Sequence, residues 1–288
     1  MLRNKTILIT GANDGIGLET ARRLAALRGN LVLACRNVEK GQAAVDLLKE
    51  ETGNQSIELL PMDLSDLESV RAAAIEFLAE HPKLDVLINN AGAYTDQLQM
   101  TAQGYEWQFG VNHLGHFLLT RLLLPALRCP TEGGRVINVS SDAHYKCRIN
   151  FDQLRGEEGV SAYRGMRAYA CSKLANVLFT KELARRYPED LLVNALHPGV
   201  VATNFANKGG GRLVRFFWNL YKPFAIPPKR GADTSVYLAT SPEIRDVTGR
   251  YFDKCQCLRR PSAAARDEQL AARLWTYSDK AVADYLKI

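Results

Sequence analysis

The chain has 288 residues, 47% hydrophobic and 24% charged, an ordinary globular composition long enough for one large α/β domain or two small ones. Its net charge of +6 is mild, and the basic residues are scattered. That argues against a nucleic-acid binder and suits a cofactor phosphate or an anionic membrane surface better. No apolar run reaches transmembrane length, "MLRNK" leaves no room for a signal peptide, and the six cysteines form no metal-ligand array. Ordinary thiols at Cys255 and Cys257, no metal site and a cytoplasmic, non-secreted protein are the expectations.

In chain order, the strand-like runs "TILIT", "NLVLAC", "SIELLPM", "DVLINN", "RVINVS", "LLVNAL" and "RYFDK" alternate with helical periodicities. The helices are expected in "GLETARRLAALR", "VEKGQAAVDLLKEE", "LESVRAAAIEFLAE", "YEWQFGVNHLGHFLLTRLL", "RAYACSKLANVLFTKELARR" and "RGADTSVYLAT". Near-continuous apolar strands separated by helices predict an α/β fold: a single doubly wound Rossmann domain over 1–288, with a parallel sheet of about seven strands and helices on both faces. Two irregular stretches interrupt the rhythm, at 142–166 and at about 204–230, and a helical tail is expected at about 262–288. Long loops in compact domains tend to carry function.

After the first strand comes "TGANDGIG". Gly11, Gly15 and Gly17 allow positive φ and close approach of backbone to pyrophosphate, and the following helix N-terminus favours an anion. Glycines can also serve packing alone, but here strand and helix flank the turn, as a dinucleotide site requires. The second strand ends in Cys35-Arg36-Asn37, with no acid to hold a ribose diol. Arg36 is placed to accept a 2′-phosphate, which points to NADP(H); a solvated surface arginine is the other reading. Tyr169 and Lys173 lie four apart on one helix face. An ammonium beside a phenol should lower its pKa and fit it for proton transfer at a carbonyl. Ser140 and Ser141, the stretch Asn89 to Gly92, and Pro198 to Thr203 each end a predicted strand, so all converge on one crevice.

With these motifs in place, the chain resembles the short-chain dehydrogenase/reductase family from about Lys5 to Asp253, through "TGANDGIG", "NNAG", "VNHLG", "VSS", "YACSK" and "HPGVVAT" in the family's order. "SKLANVLFTKELARR" and "LAARLWTYS" are similar to the retinol-dehydrogenase-like branch, which includes the oxidoreductase domain of WW-domain proteins. The resemblance implies NADP(H)-dependent action on retinoids, steroids or other lipophilic carbonyls. It implies Tyr169 as acid/base, Lys173 on the nicotinamide ribose, Ser141 on the substrate oxygen, and Asn112 kinking its helix to hold a water that links Lys173 to solvent. The cofactor set it implies is Gly11, Asn13, Gly15, Ile16, Gly17, Arg36, Asp63, Leu64, Asn90, Ala91, Gly92, Tyr169, Lys173, Pro198, Gly199, Val201 and Thr203.

Three features depart from the commoner pattern of the family or the branch. Asp14 stands where Thr or Ser is commoner, and could cap the next helix or weaken NADPH binding. The Ser141–Tyr169 interval is longer than in compact members of the family, though the branch is similar in carrying an insertion there, and no N-terminal membrane anchor like that of the branch's microsomal members is read. In the loop from Gly209 to Lys229, Leu213, Phe216, Phe217, Leu220 and Phe224 share a helical face among basic residues. This is read as a lid over a lipophilic substrate, with peripheral contact to a membrane surface or lipid droplet as the sharper version. A homodimer is left open and nucleic acid is excluded. The rival functions are a non-catalytic NADP(H)-binding interaction protein and a C=C reductase of protochlorophyllide type.

Overall fold

The structure is a computed structural model that describes residues 2–130, 133–201, 225–255, 257, 258 and 260–287. Six short runs rich in Leu, Ile and Val form β1 (Thr6–Thr10), β2 (Asn30–Cys35), β3 (Ile57–Pro61), β4 (Val86–Asn89), β5 (Gly134–Val139) and β6 (Leu191–His197), and the aromatic run "RYFD" forms β7 (Arg250–Asp253). They pair in parallel in the order β3-β2-β1-β4-β5-β6-β7. One strand was not expected: β8 (Cys257–Leu258) pairs antiparallel with β7. Lys254 and Cys255 take φ of 55° and 51°, reversing the chain over a connection too short for a parallel crossover.

The sheet is covered on both faces because its strands alternate apolar side chains to either side. In β1, Ile7 and Ile9 enter a core with residues of α1 (Gly15–Ala26), α2 (Val38–Thr52) and α9 (Asp233–Thr240). Leu8 faces the opposite core, which is built with α3 (Leu67–Glu80), α5 (Gly115–Leu127), α7 (Gly165–Arg186) and α10 (Glu268–Val282). The short helices α4 (Trp107–Phe109), α6 (Gly159–Ala162) and α8 (Pro228–Gly231) are the others among the described residues. The stretch expected as one helix from Tyr105 is instead α4, a π-helical turn Gly110–Leu114, and α5. The tail helix α10 is capped by Asp267, whose carboxylate accepts from Leu270 N, and it buries Leu274 and Trp275.

Strand order reverses between β1 and β4, leaving a crevice at their carboxyl ends. The stretch from 202 to 224, which contains Thr203 and most of the expected lid, lies outside the described residues. Among the described residues, no helix is long and apolar enough to cross a membrane.

Candidate active site

The glycine turn follows β1 directly. Gly11 and Gly15 adopt φ of 66° and 56°, and a Cβ on Gly17 would stand 2.3 Å from Gly11 O. So tight a turn places Asn13 and Ile16 at the mouth of α1, where free helix N–H groups favour an anion. Asp14 occupies the N-cap position with extended φ and ψ, but its side chain makes no capping hydrogen bond; the cap foreseen as one of its roles is not formed. Cys35 supports the turn from below: burial pushes its thiol up to about 11, against contacts with the backbone of Ala12 and Asn13.

Thr10 locks this turn to the end of β4. Its Oγ1 accepts from Asn90 N (3.0 Å) and Ala91 N (2.9 Å), while Asn90 Nδ2 donates to Thr10 O at 2.8 Å. Gly92 next to it is exposed on the crevice. Arg36 and Asp63 flank the outer end, with Arg36 Nε 4.0 Å from Asp63 Oδ2 and the arginine side chain 65% exposed. The side chain of Leu64, a residue expected on the cofactor side, packs in the core, and a Cβ on Gly115 would stand 2.7 Å from the Leu64 carbonyl oxygen. Across the crevice, Val200 O accepts from Ile226 N at 2.9 Å. Gly231 then fits between Val201 and Ile16, where a Cβ would come within 2.7 and 3.1 Å of them. The Pro198–Val201 segment thereby reaches the glycine turn.

The second half of the site is pinned to the end of β5. Lys173 Nζ donates to Val139 O at 3.1 Å, Asn176 Nδ2 to the same oxygen at 3.3 Å, and Ser140 Oγ to Lys173 O at 2.7 Å. Ser140 is thus committed to the backbone, whereas the Ser141 hydroxyl hydrogen-bonds the Tyr169 phenol. Lys173 Nζ lies 5.6 Å from the Tyr169 ring centre. Tyr94 meets that ring edge-on at 6.0 Å.

The expected lowering of the Tyr169 pKa is not what this environment produces. Burial pushes the phenol up to about 12, opposed by the Ser141 hydrogen bond, and pushes the Lys173 ammonium down to about 8. Desolvation penalises the charged form of each group.

Asn112 sits fully buried in the π-helical turn. Its Oδ1 accepts from Ala93 N (2.7 Å), and its Nδ2 donates to Ala93 O (3.0 Å) and to Ser172 Oγ (2.9 Å). Ser172 Oγ donates in turn to Tyr169 O at 2.8 Å. Asn112 therefore reaches the tyrosine helix through Ser172. Thr10, Tyr94, His116, Ser172 and Asn176 were absent from the expected set. Spacing offered a signal for two of them, since Ser172 and Asn176 follow Tyr169 at i+3 and i+7.

One cysteine pair goes beyond anything the sequence signals. Cys147 and Cys171 form a disulfide, with Cα atoms 5.3 Å apart. The pair arises because α7 packs on the 3-10 turn Asp142–Lys146, a tertiary contact that cysteine spacing does not show.

A family model described as short chain dehydrogenase matches residues 5–152. Human retinol dehydrogenase 11 is 44% identical, over 96% of this chain and 85% of that protein. Among solved structures, an uncharacterized protein from Mycobacterium paratuberculosis superposes with a TM-score of 0.78 at 35% identity, covering 98% of this chain and 94% of its own. A short chain dehydrogenase from Escherichia coli CFT073 complexed with NADPH gives a TM-score of 0.70 at 27% identity, over 89% and 98% of the two chains.

Proposed function

Because the chain belongs to the short-chain dehydrogenase/reductase family and is retinol-dehydrogenase-like, we propose that it is an NADP(H)-dependent oxidoreductase of lipophilic carbonyls and alcohols. The observation that carries this reading is the hydrogen-bonded Ser141–Tyr169 pair, with buried Lys173 one helical turn away, on the crevice that begins at the glycine turn.

The residues present fit a dinucleotide. A Cβ at Gly17 would fill the turn, which keeps backbone amides at the surface where a pyrophosphate would lie. Arg36 extends from the end of β2 with no acidic residue at its position, which suits a 2′-phosphate. A bound nicotinamide supplies or takes up the hydride at the carbonyl or alcohol carbon. Ser141 Oγ holds the substrate oxygen, and the Tyr169 hydroxyl donates its proton there in reduction or receives one in oxidation. Lys173 positions the cofactor ribose and contributes positive charge beside the phenol. Asn112 fixes the loop at Ala93 and the helix at Ser172.

A lipophilic substrate is favoured by the retinol dehydrogenase relative and by the aromatic Tyr94 edge beside Tyr169. The lid, its contact with a membrane or lipid-droplet surface from the cytoplasmic side, and a homodimer belong to the same proposal. The test is turnover of all-trans-retinal, a keto-steroid and an aliphatic aldehyde, with products identified. NADPH should bind at least about tenfold tighter than NADH, or about 1.4 kcal/mol. Arg36→Asp should reverse that order. Equal affinities in the wild type would remove the NADP(H) assignment, and no product from any carbonyl would remove the activity.

A further inference from the structure

His116 lies fully inside the protein, between the cofactor half and the catalytic half of the site. Its Nε2 is 2.8 Å from Thr10 Oγ1, and its Nδ1 is 3.0 Å from Asn112 O. The proton positions follow from the donors available. Thr10 Oγ1 already accepts two backbone N–H groups, from Asn90 and Ala91, so its own proton points to Nε2. Nε2 is then the acceptor, and the ring proton sits on Nδ1, directed at the Asn112 carbonyl.

We propose that His116 is a positioning residue of this active site, bridging Thr10 at the cofactor-binding strand ends to the π-helical turn that carries Asn112. The hydrogen-bonded path then runs unbroken from the glycine turn to the catalytic helix: Asn90 and Ala91 to Thr10, Thr10 to His116, His116 to Asn112, and Asn112 through Ser172 to the Tyr169 backbone. Each half of the ring has a separate task. The Nε2 acceptor holds Thr10 in the orientation that receives the β4 amides, and so shapes the cofactor end. The Nδ1 donor holds a carbonyl in a turn whose widened backbone would otherwise be soft, and so aims Asn112. π-Helical turns recur at functional sites because they disturb the regular hydrogen-bond ladder. Burial, with the Lys173 charge nearby, holds the imidazole pKa down to about 4, so the ring keeps one neutral tautomer at neutral pH.

The inference rests on the oxidoreductase reading, and its test separates the two. Three substitutions divide the bridge: His116→Leu removes both contacts, His116→Asn leaves a side-chain N–H near the Nδ1 position, and His116→Gln leaves an acceptor near Nε2. Each is measured for NADPH Kd by fluorescence titration, for kcat and KM with all-trans-retinal and NADPH, and for Tm. His116→Leu should lower kcat by about 10- to 100-fold, the size expected of a small misplacement of reacting groups, and should weaken NADPH binding. His116→Asn should recover most of kcat, and His116→Gln most of the NADPH affinity. Wild-type kcat in all three would overturn the proposal. So would equal loss of kcat and affinity in all three in step with Tm, which is the mark of a purely structural residue. If wild-type protein turns over no carbonyl, the activity reading fails alone, and NADPH affinity still decides the bridge: recovery in His116→Gln but not in His116→Leu supports it, and equal loss in both overturns it.

Discussion

Tyr169 and Lys173 share one face of α7, and burial shifts their pKa values in opposite directions, the phenol up to about 12 and the ammonium down to about 8. Both shifts have one cause, the loss of water around whichever form is charged. The phenol is therefore protonated throughout the neutral range, as a proton donor in carbonyl reduction must be. Tyr169→Phe removes that proton but keeps the ring beside Tyr94. Turnover of all-trans-retinal should fall by about 10²- to 10⁴-fold, with NADPH affinity by fluorescence titration nearly unchanged; retained turnover would end the catalytic assignment. Lys173 sets the pH dependence. Its ammonium is charged below its pKa, so kcat/KM for reduction should be level on the acid side and fall as pH rises through about 8. A pH–rate profile that rises through this region would contradict the assignment, and Lys173→Met should abolish the break.

At the scale of elements, α7 is held twice against the stretch from the end of β5 to Cys147. Hydrogen bonds pin it to the end of β5, and the Cys147–Cys171 disulfide closes a sequence separation of 24 residues. A cross-link of that span restricts the unfolded chain, and its removal should cost about 3 kcal/mol. Urea unfolding with and without dithiothreitol should show this loss in the wild type, while Cys147→Ser should unfold alike in both conditions. Equal wild-type midpoints would show that the bridge contributes no stability. The π-helical turn makes the same point differently. Its sequence, "GVNHL", fits helical periodicity, and only the contacts of Asn112 and His116 with other elements mark where the regular ladder is broken.

Across the whole molecule, two buried imidazoles tie stability to pH. Desolvation holds His113 down to about 3, reinforced by His116, and His116 itself down to about 4. The unfolded chain takes up these protons near pH 6.5, whereas the folded chain resists them. Stability is therefore complete above about 6.5 and is lost as pH falls toward 4 and below, by about 1.4 kcal/mol per pH unit for each group inside its window. Urea midpoints should be lower at pH 5.5 than at pH 7.5. A higher midpoint at 5.5 would mean that these rings are not buried neutral.

The amino-acid sequence by itself determined the alternation of strands and helices, since runs such as "TILIT" and "NLVLAC" and the spacing of α7 are local patterns. It also determined the residue types on the crevice, because the glycines, Ser141, Tyr169 and Lys173 all fall at strand ends or on one helix face. Tertiary structure alone decided how these groups are tuned and joined. Whether a phenol shifts up or down depends on the water excluded around it, and burial outweighed the lysine charge on which the sequence argument relied. The antiparallel β8, the Cys147–Cys171 pair and the His116 bridge were equally hidden. Thr10 and His116 lie 106 positions apart in the chain, and no local period relates them. They meet because β1 and β4 are neighbours at the point where the sheet order reverses, and α5 packs across that reversal.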